Sequence, residues 1–383
     1  MIKKRYIAIT LGICVGMVLV TGTAVGTNRV FRNVIKAMDS ADKNTVKDYK
    51  GYYNAVKEAL YNYDDTVVIN VKNYDRDTYN LDVVKKVMED NPQLKGSCTK
   101  YNLKIIKSVF STRMTFEFTY SESKETLQAR EKAVQGKVSE IIAKVIKSDM
   151  KDYEKEAALH DYIVNNTVYD KRVDTGNMPL ESYTAYGVLI KGTGVCQGYA
   201  QAMDRLLKAC GIESTMVTGD ANDGTTWVKH AWNIVKIGGQ YYHLDPTWDD
   251  PVTEDGSNMI RYSYFNITDD QISKNHRWDK TIYPKCDNTQ YSFINLNLEE
   301  KDSKGNVIIT AKNYDEFYSA VKNQLASGKS TASFKILNYD GNEQNIKSSV
   351  IKAYEKLSRA GSFQCHYYKD DIMNSVYITV DFK

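Results

Sequence analysis

Hydrophobic and polar positions follow the same pattern at the two ends of the chain. The segment YNAVKEAL at 53–60 matches YSAVKNQL at 318–325, an offset of 265, and NYD at 73–75 matches NYD at 338–340 in the same register. In each copy, apolar residues at helical spacing precede a β-rich run, and a second helical stretch leads to two alternating strands. The helices predicted from this pattern span 41–62, 80–90, 313–327 and 344–359.

The middle of the chain has a different pattern. Residues 125–165 have the periodicity of one helix with few breakers, whereas 181–290 are richer in glycine, aromatic residues and strand-like runs. We expect an α+β protein in which two small repeated α/β domains flank a different central domain. The predicted regions are an N-terminal segment at 1–26, repeat domains at 27–124 and 296–383, and a central domain at 125–295.

The N-terminal segment has the features of a targeting sequence. Lys3, Lys4 and Arg5 precede YIAITLGICVGMVLVTGTAVG at 6–26, a run without charged residues. A basic start and an apolar stretch are typical of a signal peptide or an N-terminal membrane anchor, and about 20 apolar residues cross a bilayer as a helix. Both forms remain open. Either one predicts contact with a membrane and an extracytoplasmic location for the rest of the chain.

Charge and cysteine spacing exclude several classes of partner. The formal net charge is only +3, with basic and acidic residues mixed along the chain, so we expect no nucleic-acid partner. The six cysteines include no CxxC pair, which argues against a structural zinc site and a dense disulfide framework. No EF-hand loop is present either. We therefore expect mostly free thiols, no metal and no cofactor.

One of these thiols lies where a helix is predicted to begin. In GTGVCQGYA at 192–200, a glycine-rich stretch leads into apolar positions at helical spacing, and Gly211 suits the end of that helix. Cys196 falls in the first turn, where the helix dipole stabilises a thiolate. Gln197 and Gly198 follow it and are candidate substrate contacts, because a glycine lets a substrate backbone approach. Cys210, on the apolar face, is expected to be inert.

A hairpin predicts a histidine–aspartate pair. KHAWNIVKIGGQYYHLDPTW at 229–248 contains two strand-like runs joined by Gly238 and Gly239, a two-residue turn signal. If these glycines form the turn, Ile237 pairs with Gln240. His230 and Asp245 then become diagonal neighbours on one face of the sheet, with Cα atoms about 7–8 Å apart.

These residue types suit acyl transfer. His230 can take a proton from Cys196 and return it to a leaving amine, while Asp245 holds the imidazole in one tautomer. The N–H group of Cys196 can stabilise the developing oxyanion, and Tyr186 is a candidate second donor, although a core aromatic residue is the alternative.

The four other histidines have different expected roles. His243 shares a strand face with Asp245 and is the alternative base. His160 is expected to be a hydrogen-bonded structural histidine. His276 and His366, with no nearby candidate partners in the sequence, are expected at the surface.

Three blocks together resemble a known family. LHDYIVNNTVYD, GVCQGYAQAMDRLL and HAWNIVKIGGQYYHLDPTWDDP resemble the transglutaminase-like cysteine peptidase superfamily, in its bacterial branch, across 150–285. The resemblance implies a papain-like transglutaminase core with Cys196, His230 and Asp245 as its catalytic residues. Animal transglutaminases carry a tryptophan after the nucleophile, whereas Gln197 follows here, which favours amide hydrolysis over crosslinking. Further candidate substrate contacts are Trp232 and Trp248.

The sequence thus leads to two functional hypotheses. The first is an exported, thiol-dependent peptidase, amidase or acyltransferase that acts on cell-envelope or extracellular peptides or proteins, with peptidoglycan stem peptides among the candidates. The alternative is a non-catalytic cell-surface binding or assembly protein on the same fold.

Overall fold

The computed structural model describes residues 45–91, 94, 96–107, 111–222, 224–251 and 259–383. The predicted apolar segment at 1–26 lies outside these residues, so its helix, its cleavage and its contact with a membrane remain predictions. None of the helices in the described ranges is long and apolar enough to cross a bilayer.

Residues 45–120, called here the N-terminal unit, form a four-stranded sheet with two helices. The strand order is β1-β2-β4-β3, with β1 parallel to β2 and the other pairs antiparallel. Apolar residues of both helices and the sheet share one buried cluster, which includes Tyr52 and Phe116. Its elements are β1 (Thr45–Val46), α1 (Tyr49–Tyr61), β2 (Thr66–Val71), α2 (Asp82–Asp90), β3 (Cys98–Lys107) and β4 (Thr112–Tyr120).

Residues 309–382, called here the C-terminal unit, form a sheet of the same kind. Its order is β12-β13-β15-β14, again with the first pair parallel and the others antiparallel. A separate buried cluster, which includes Phe317 and Phe334, fills its interior. Its elements are β12 (Ile309–Ala311), α8 (Tyr314–Ala326), β13 (Thr331–Leu337), α9 (Glu343–Lys356), β14 (Phe363–Asp370) and β15 (Ser375–Phe382).

The central region carries a mixed α/β core. Its five-stranded sheet has the order β10-β9-β8-β7-β11, and a separate two-stranded sheet joins β5 and β6. The elements are α3 (Lys124–Val145), α4 (Asp152–Asn166), β5 (Val168–Tyr169), β6 (Thr193–Gly194), α5 (Cys196–Ala209), β7 (Ser214–Asn222), β8 (Trp227–Ile237), β9 (Gln240–Leu244), β10 (Phe265–Ile267), α6 (Asp269–Ile272), β11 (His276–Arg277) and α7 (Phe293–Leu296).

Two predicted helices differ from the structure. The helix predicted at 41–62 is wrong in its first part, because residues 45–46 form β1 and Asp48 caps a helix that begins at Tyr49 by accepting from the Gly51 N–H. The helix predicted at 125–165 is two helices, α3 and α4. The second one starts anew at Asp152, where the Glu154 carboxylate accepts from the N–H of the preceding Lys151 at 2.7 Å.

The predicted hairpin is confirmed in its register. β8 and β9 pair from Ile237↔Gln240 to Asn233↔Leu244 without a shift. Gly238 and Gly239 have φ values of 58° and 82°. Both values are positive, as the tight turn between twisted strands requires, and glycine adopts them without steric cost.

A buried lysine joins the C-terminal unit to the central region. Lys335 of β13 is fully buried, and its Nζ lies 3.2 Å from Glu300 Oε1, 2.7 Å from the Tyr377 hydroxyl and 3.5 Å from Asp370 Oδ2. Asp370 also accepts from the Ser263 hydroxyl of the central region at 2.7 Å. One cation therefore balances two carboxylates at the boundary between the two parts.

We expect Lys335→Met to lower the free energy of unfolding by about 3–5 kcal/mol, because the change leaves Glu300 and Asp370 buried without their cation. Urea denaturation followed by tryptophan fluorescence measures the change. Lys329→Met, which removes an exposed lysine next to β13, is the matched control. Equal and small losses in both variants would contradict the stabilising role of Lys335.

Candidate active site

Cys196 is the first residue of α5. The preceding residue, Val195, is extended, and its side chain caps nothing, so the first N–H groups of α5 lack partners inside the helix. The Val195 N–H bonds to the Ser182 carbonyl at 2.9 Å, which fixes the strand that leads into the helix. Cys196 is half-buried, so its thiol lies at the positive end of a helix and at the edge of the core.

All described cysteines are free thiols. Burial raises the pKa of Cys98 and Cys365 to about 11 each, and it also raises the pKa of Cys210 and Cys286. These four thiols are therefore protonated, unreactive groups at neutral pH. The prediction of free thiols is confirmed for the described cysteines.

The glycine after Gln197 has a packing role instead of the predicted substrate contact. A Cβ atom at Gly198 would lie 2.7 Å from the Ser182 carbonyl oxygen and 3.1 Å from that of Thr184, and Gly198 is buried. The prediction that a substrate backbone approaches Gly198 is therefore wrong. The glycine lets the segment from 182 to 184 pack directly against α5.

His230 and Asp245 meet as the hairpin register predicts. His230 Nε2 lies 2.6 Å from Asp245 Oδ2, and both side chains are buried. The second carboxylate oxygen, Oδ1, accepts from the Thr247 N–H at 3.0 Å. Because Asp245 occupies Nε2 of His230, the nitrogen left for the thiol of Cys196 is Nδ1.

His230 and Asp245 each stabilise the charged form of the other. Burial alone would raise the pKa of Asp245, but the charge and hydrogen bond of His230 outweigh it and hold the pKa well below its usual value. Burial alone would lower the pKa of His230, but Asp245, by charge and hydrogen bond, and then Cys196 raise it to about 10. The favoured state is an imidazolium held by a carboxylate and facing the sulfur.

His243 has both ring nitrogens engaged. Trp232 Nε1 donates to His243 Nδ1 at 3.0 Å, and His243 Nε2 lies 2.8 Å from Asp269 Oδ1. An indole N–H can only donate, so Nδ1 is an acceptor and the ring proton is on Nε2. Burial also lowers the pKa of His243. No nitrogen remains to serve Cys196, so the alternative base proposed from the sequence lacks the required geometry.

The two candidate tryptophans have different positions. Trp232 is fully buried, and its ring stacks on His230 with centroids 5.8 Å apart, so the predicted substrate contact of Trp232 is wrong. It lies in the core because the rings of His276 and Trp278 pack against it, with centroids 5.1 Å and 5.8 Å away. Trp248 is half-buried, and its ring centroid lies 5.7 Å from that of His230. Trp248 thus lies beside the imidazole and remains open to solvent.

A large cleft adjoins Trp248. It has a volume of 840 Å³ and lies between the central region and the C-terminal unit. Arg261 and Lys274 line it on the central side, and Tyr368 and Asp371 line it on the side of the C-terminal unit. Tyr368 is 72% exposed. The cleft therefore offers aromatic and charged surface that reaches the imidazole of His230 only through the ring of Trp248.

Tyr186 and Gln197 lie toward the N-terminal unit. The ring of Tyr186 packs under Arg130 and Lys191, with the cationic groups 5.1 Å and 5.7 Å from its centroid. Within the described part of the chain, no hydrogen bond joins Tyr186 to the sulfur or the imidazole, so the predicted oxyanion role has no contact to support it. The side-chain amide of Gln197 lies near Gly96 of the N-terminal unit. A Cβ atom added to Gly96 would be 3.8 Å from Nε2 of Gln197.

Sequence reasoning missed His276. The residue was expected at the surface, but it is 1% exposed and its Nε2 lies 3.2 Å from Asp245 Oδ2, so that expectation is wrong. β11, which carries His276, has only two residues, and a strand of that length gives no periodic signal. The one weak indication in the sequence is that His276 and Trp278 alternate with the charged Arg277, as in a short strand with one buried face. His366 is exposed, as expected.

Two groups of side chains have the composition of metal ligands. They are His230, Asp245 and His276, and His243, Asp269 and Cys286. In the first, a 2.6 Å contact between His230 and Asp245 suits a shared proton, whereas two ligands each about 2.0–2.2 Å from a tetrahedral zinc are further apart. In the second, the Trp232 N–H keeps the proton of His243 on the atom that would bind the metal. Neither set fits a metal ion.

A model of a known protein family matches the central part of the chain. The model of the transglutaminase-like superfamily matches residues 139–246. A search of curated protein sequences found no match. Similar solved structures include a TGase, with 16% identity over 53% of this chain and a TM-score of 0.27. A putative cysteine protease from Cytophaga hutchinsonii has 16% identity over 42% of this chain and a TM-score of 0.27.

A putative protease from Parabacteroides distasonis has 9% identity over 83% of this chain and a TM-score of 0.23. The chain spans 58%, 68% and 65% of the lengths of these three proteins, in the order given. At such low TM-scores, the assignment depends on the sequence match, which covers Cys196, His230 and Asp245. The segment at 139–246 therefore belongs to the transglutaminase-like superfamily.

Proposed function

We propose that this chain is a thiol enzyme that acts on amide bonds of peptides or proteins through an acyl-enzyme on Cys196. The observation that carries the proposal is the buried pair of His230 and Asp245, whose pKa shifts favour the charged forms and whose free Nδ1 serves the thiol at the start of α5. Membership of the matched segment in the transglutaminase-like superfamily supports the same reaction class.

In the first half-reaction, the Cys196 thiolate attacks the carbonyl carbon and forms a C–S bond. The C–N bond then breaks, and His230 gives its proton to the departing amine. The oxyanion is stabilised by the N–H of Cys196 and the positive end of α5, where preorganised amides need no rearrangement.

In the second half-reaction, an acceptor attacks the thioester. Neutral His230 takes a proton from water or from an amine, the C–S bond breaks, and Cys196 leaves as a thiolate. Water yields a free acid and makes the chain a peptidase or amidase, whereas an amine yields a new amide. Gln197, in place of the tryptophan of animal transglutaminases, favours water.

The cleft next to Trp248 is the proposed binding site of the peptide substrate. Its wall includes Tyr368 at the edge strand β14, whose outer side pairs with no described strand. An extended peptide can contact such an edge with its backbone and the aromatic rings with its side chains. Trp248 connects the cleft to the imidazole of His230.

We also propose that the enzyme is exported. The basic residues Lys3, Lys4 and Arg5 and the apolar run at 6–26 support a signal peptide or membrane anchor. The substrates would then be envelope or extracellular peptides or proteins, with peptidoglycan stem peptides among those to test. The similar strand orders of the N- and C-terminal units support their origin as a repeat.

The assignment of the base is tested by alkylation of Cys196 with iodoacetamide at pH 6.5. We expect His230→Ala to lower the rate at least tenfold, since an ordinary thiol with a pKa of about 8.5 is only about 1% thiolate at that pH. His243→Gln should change the rate less than threefold. Peptide mass mapping resolves Cys196 from Cys210, which serves as the internal reference. An equal loss in the two histidine variants, or equal labelling of both cysteines in the wild type, would contradict the assignment.

The type of reaction is tested with a peptide library that includes peptidoglycan stem peptides and glutamine-containing peptides. We expect free acid to exceed amine conjugate even when monodansylcadaverine is added, and Cys196→Ala to form neither product. Mass spectrometry quantifies both products. A larger yield of conjugate would make the chain an acyltransferase. Absence of both products in the wild type would favour the non-catalytic surface protein.

The cleft is tested with the best peptide from that library. We expect Tyr368→Ala to raise KM at least threefold while kcat changes little, because the exposed ring contributes to binding and not to chemistry. Tyr367→Ala is the matched control, since adjacent strand residues point to opposite faces. Equal KM values for the wild type and the Tyr368 variant would place the peptide elsewhere.

A further inference from the structure

His276 lies against the pair of His230 and Asp245, and the mechanism above gives it no part. Its strand, β11, pairs with the end of β7. Gly219 of β7 permits this approach, because a Cβ there would lie 2.3 Å from the Arg277 carbonyl oxygen. Nε2 of His276 is 3.2 Å from Asp245 Oδ2, the same oxygen that lies 2.6 Å from Nε2 of His230.

The position of the ring proton on His276 follows from its partners. An ionised carboxylate can only accept hydrogen bonds, so Nε2 of His276 must carry hydrogen. Burial lowers the pKa of His276; Asp245 opposes this effect, and the charges of His230 and His243 add to it. Nε2 carries a hydrogen because it faces that carboxylate at 3.2 Å.

Asn275 and Tyr264 hold the other side of the His276 ring. Oδ1 of Asn275 lies 2.7 Å from Nδ1 of His276, and Nδ2 of Asn275 donates to the Tyr264 hydroxyl at 2.7 Å. The Asn275 amide thus fixes the ring with Nε2 directed at Asp245. Burial raises the pKa of Tyr264, so the phenol keeps its proton.

His276 is therefore a second side-chain donor to the Asp245 carboxylate, on the same oxygen that His230 contacts. A second strong donor on Oδ2 spreads the negative charge that would otherwise act on His230 alone.

We propose that His276 is a positioning residue that donates an Nε2–H to Asp245, fixes the carboxylate and weakens its hold on the proton of His230. The inference rests on the proposed function, since that proton must leave His230 when the amine departs. A carboxylate with His230 as its sole side-chain partner would hold the imidazolium more tightly and slow the transfer.

Other charged and titratable groups surround this cluster. They are Cys196 on α5, His243 on β9, Asp249 and Tyr264 after it, Asp220 on β7, Lys229 on β8 and Arg277 on β11. Asp220 pairs with both Lys229 and Arg277, so these three charges largely compensate one another. The groups that set the pKa of His230 are therefore chiefly Asp245 and its partner His276.

The test is the pH dependence of Cys196 alkylation by iodoacetamide between pH 5 and 10.5. The rate rises a second time when His230 loses its proton, because the thiolate then loses its paired cation. We expect His276→Leu to move this upper inflection upward by about one pH unit. His276→Gln, whose amide can donate near the position of Nε2, should restore at least half of the shift. A downward or absent shift in the leucine variant overturns the inference.

A double variant separates action through Asp245 from a general loss of packing. In an Asp245→Asn background, His276→Leu should cause no further shift, since the carboxylate that transmits the effect is gone. A further shift of the full size would show that His276 acts on His230 by another route, and it would overturn the inference. Circular dichroism of each variant verifies that the fold is retained.

A second measurement needs no variant. In wild-type protein with ¹⁵N-labelled histidine, NMR should show a proton on Nε2 of His276 at neutral pH, and a ring protonated on Nδ1 alone overturns the inference. Neither experiment requires turnover. A wild type that cleaves no amide but shows the expected shift and tautomer would refute the proposed function and leave the position of His276 intact.

Discussion

The carboxylate of Asp245 is the buried charge that the rest of the site depends on. Removing an ionised carboxylate from water costs several kcal/mol unless hydrogen-bond donors replace the water. Here three donors meet it, the N–H of Thr247 and the Nε2 groups of His230 and His276. They come from the turn after β9, from β8 and from β11. Satisfying one carboxylate therefore fixes three segments relative to one another.

Local interactions made half of this site predictable. Gly238 and Gly239 define a two-residue turn, and once the turn is placed, the period of two assigns every opposed residue of β8 and β9. Counting outward from the pair of Ile237 and Gln240 is enough to identify His230 and Asp245 as neighbours. The start of α5 can also be predicted from local sequence. The helical spacing of apolar residues and the position of Gly211 define the extent of the helix, and Cys196 falls in its first turn.

The remainder depends on long-range packing that no local pattern encodes. Alternation assigns Trp232 to the face of His230 and Asp245, but only the packing of His276 and Trp278 against it reveals that this face is covered. β11 has two residues and is positioned by its pairing with Ala221 and its neighbour in β7. The break between α3 and α4 uses neither glycine nor proline, since a glutamate side chain closes the new helix start.

The C-terminal unit also contributes to holding the site. The Tyr264 carbonyl accepts from the Asp245 N–H at 3.1 Å, and the adjacent Ser263 donates to Asp370 of the C-terminal unit at 2.7 Å. Asp370 lies next to the buried Lys335. At the repeat offset of 265, the N-terminal unit has Asn70 in place of that lysine. The two units therefore differ at the residue that docks one of them, and only the C-terminal copy has this buried cation next to a segment that supports Asp245.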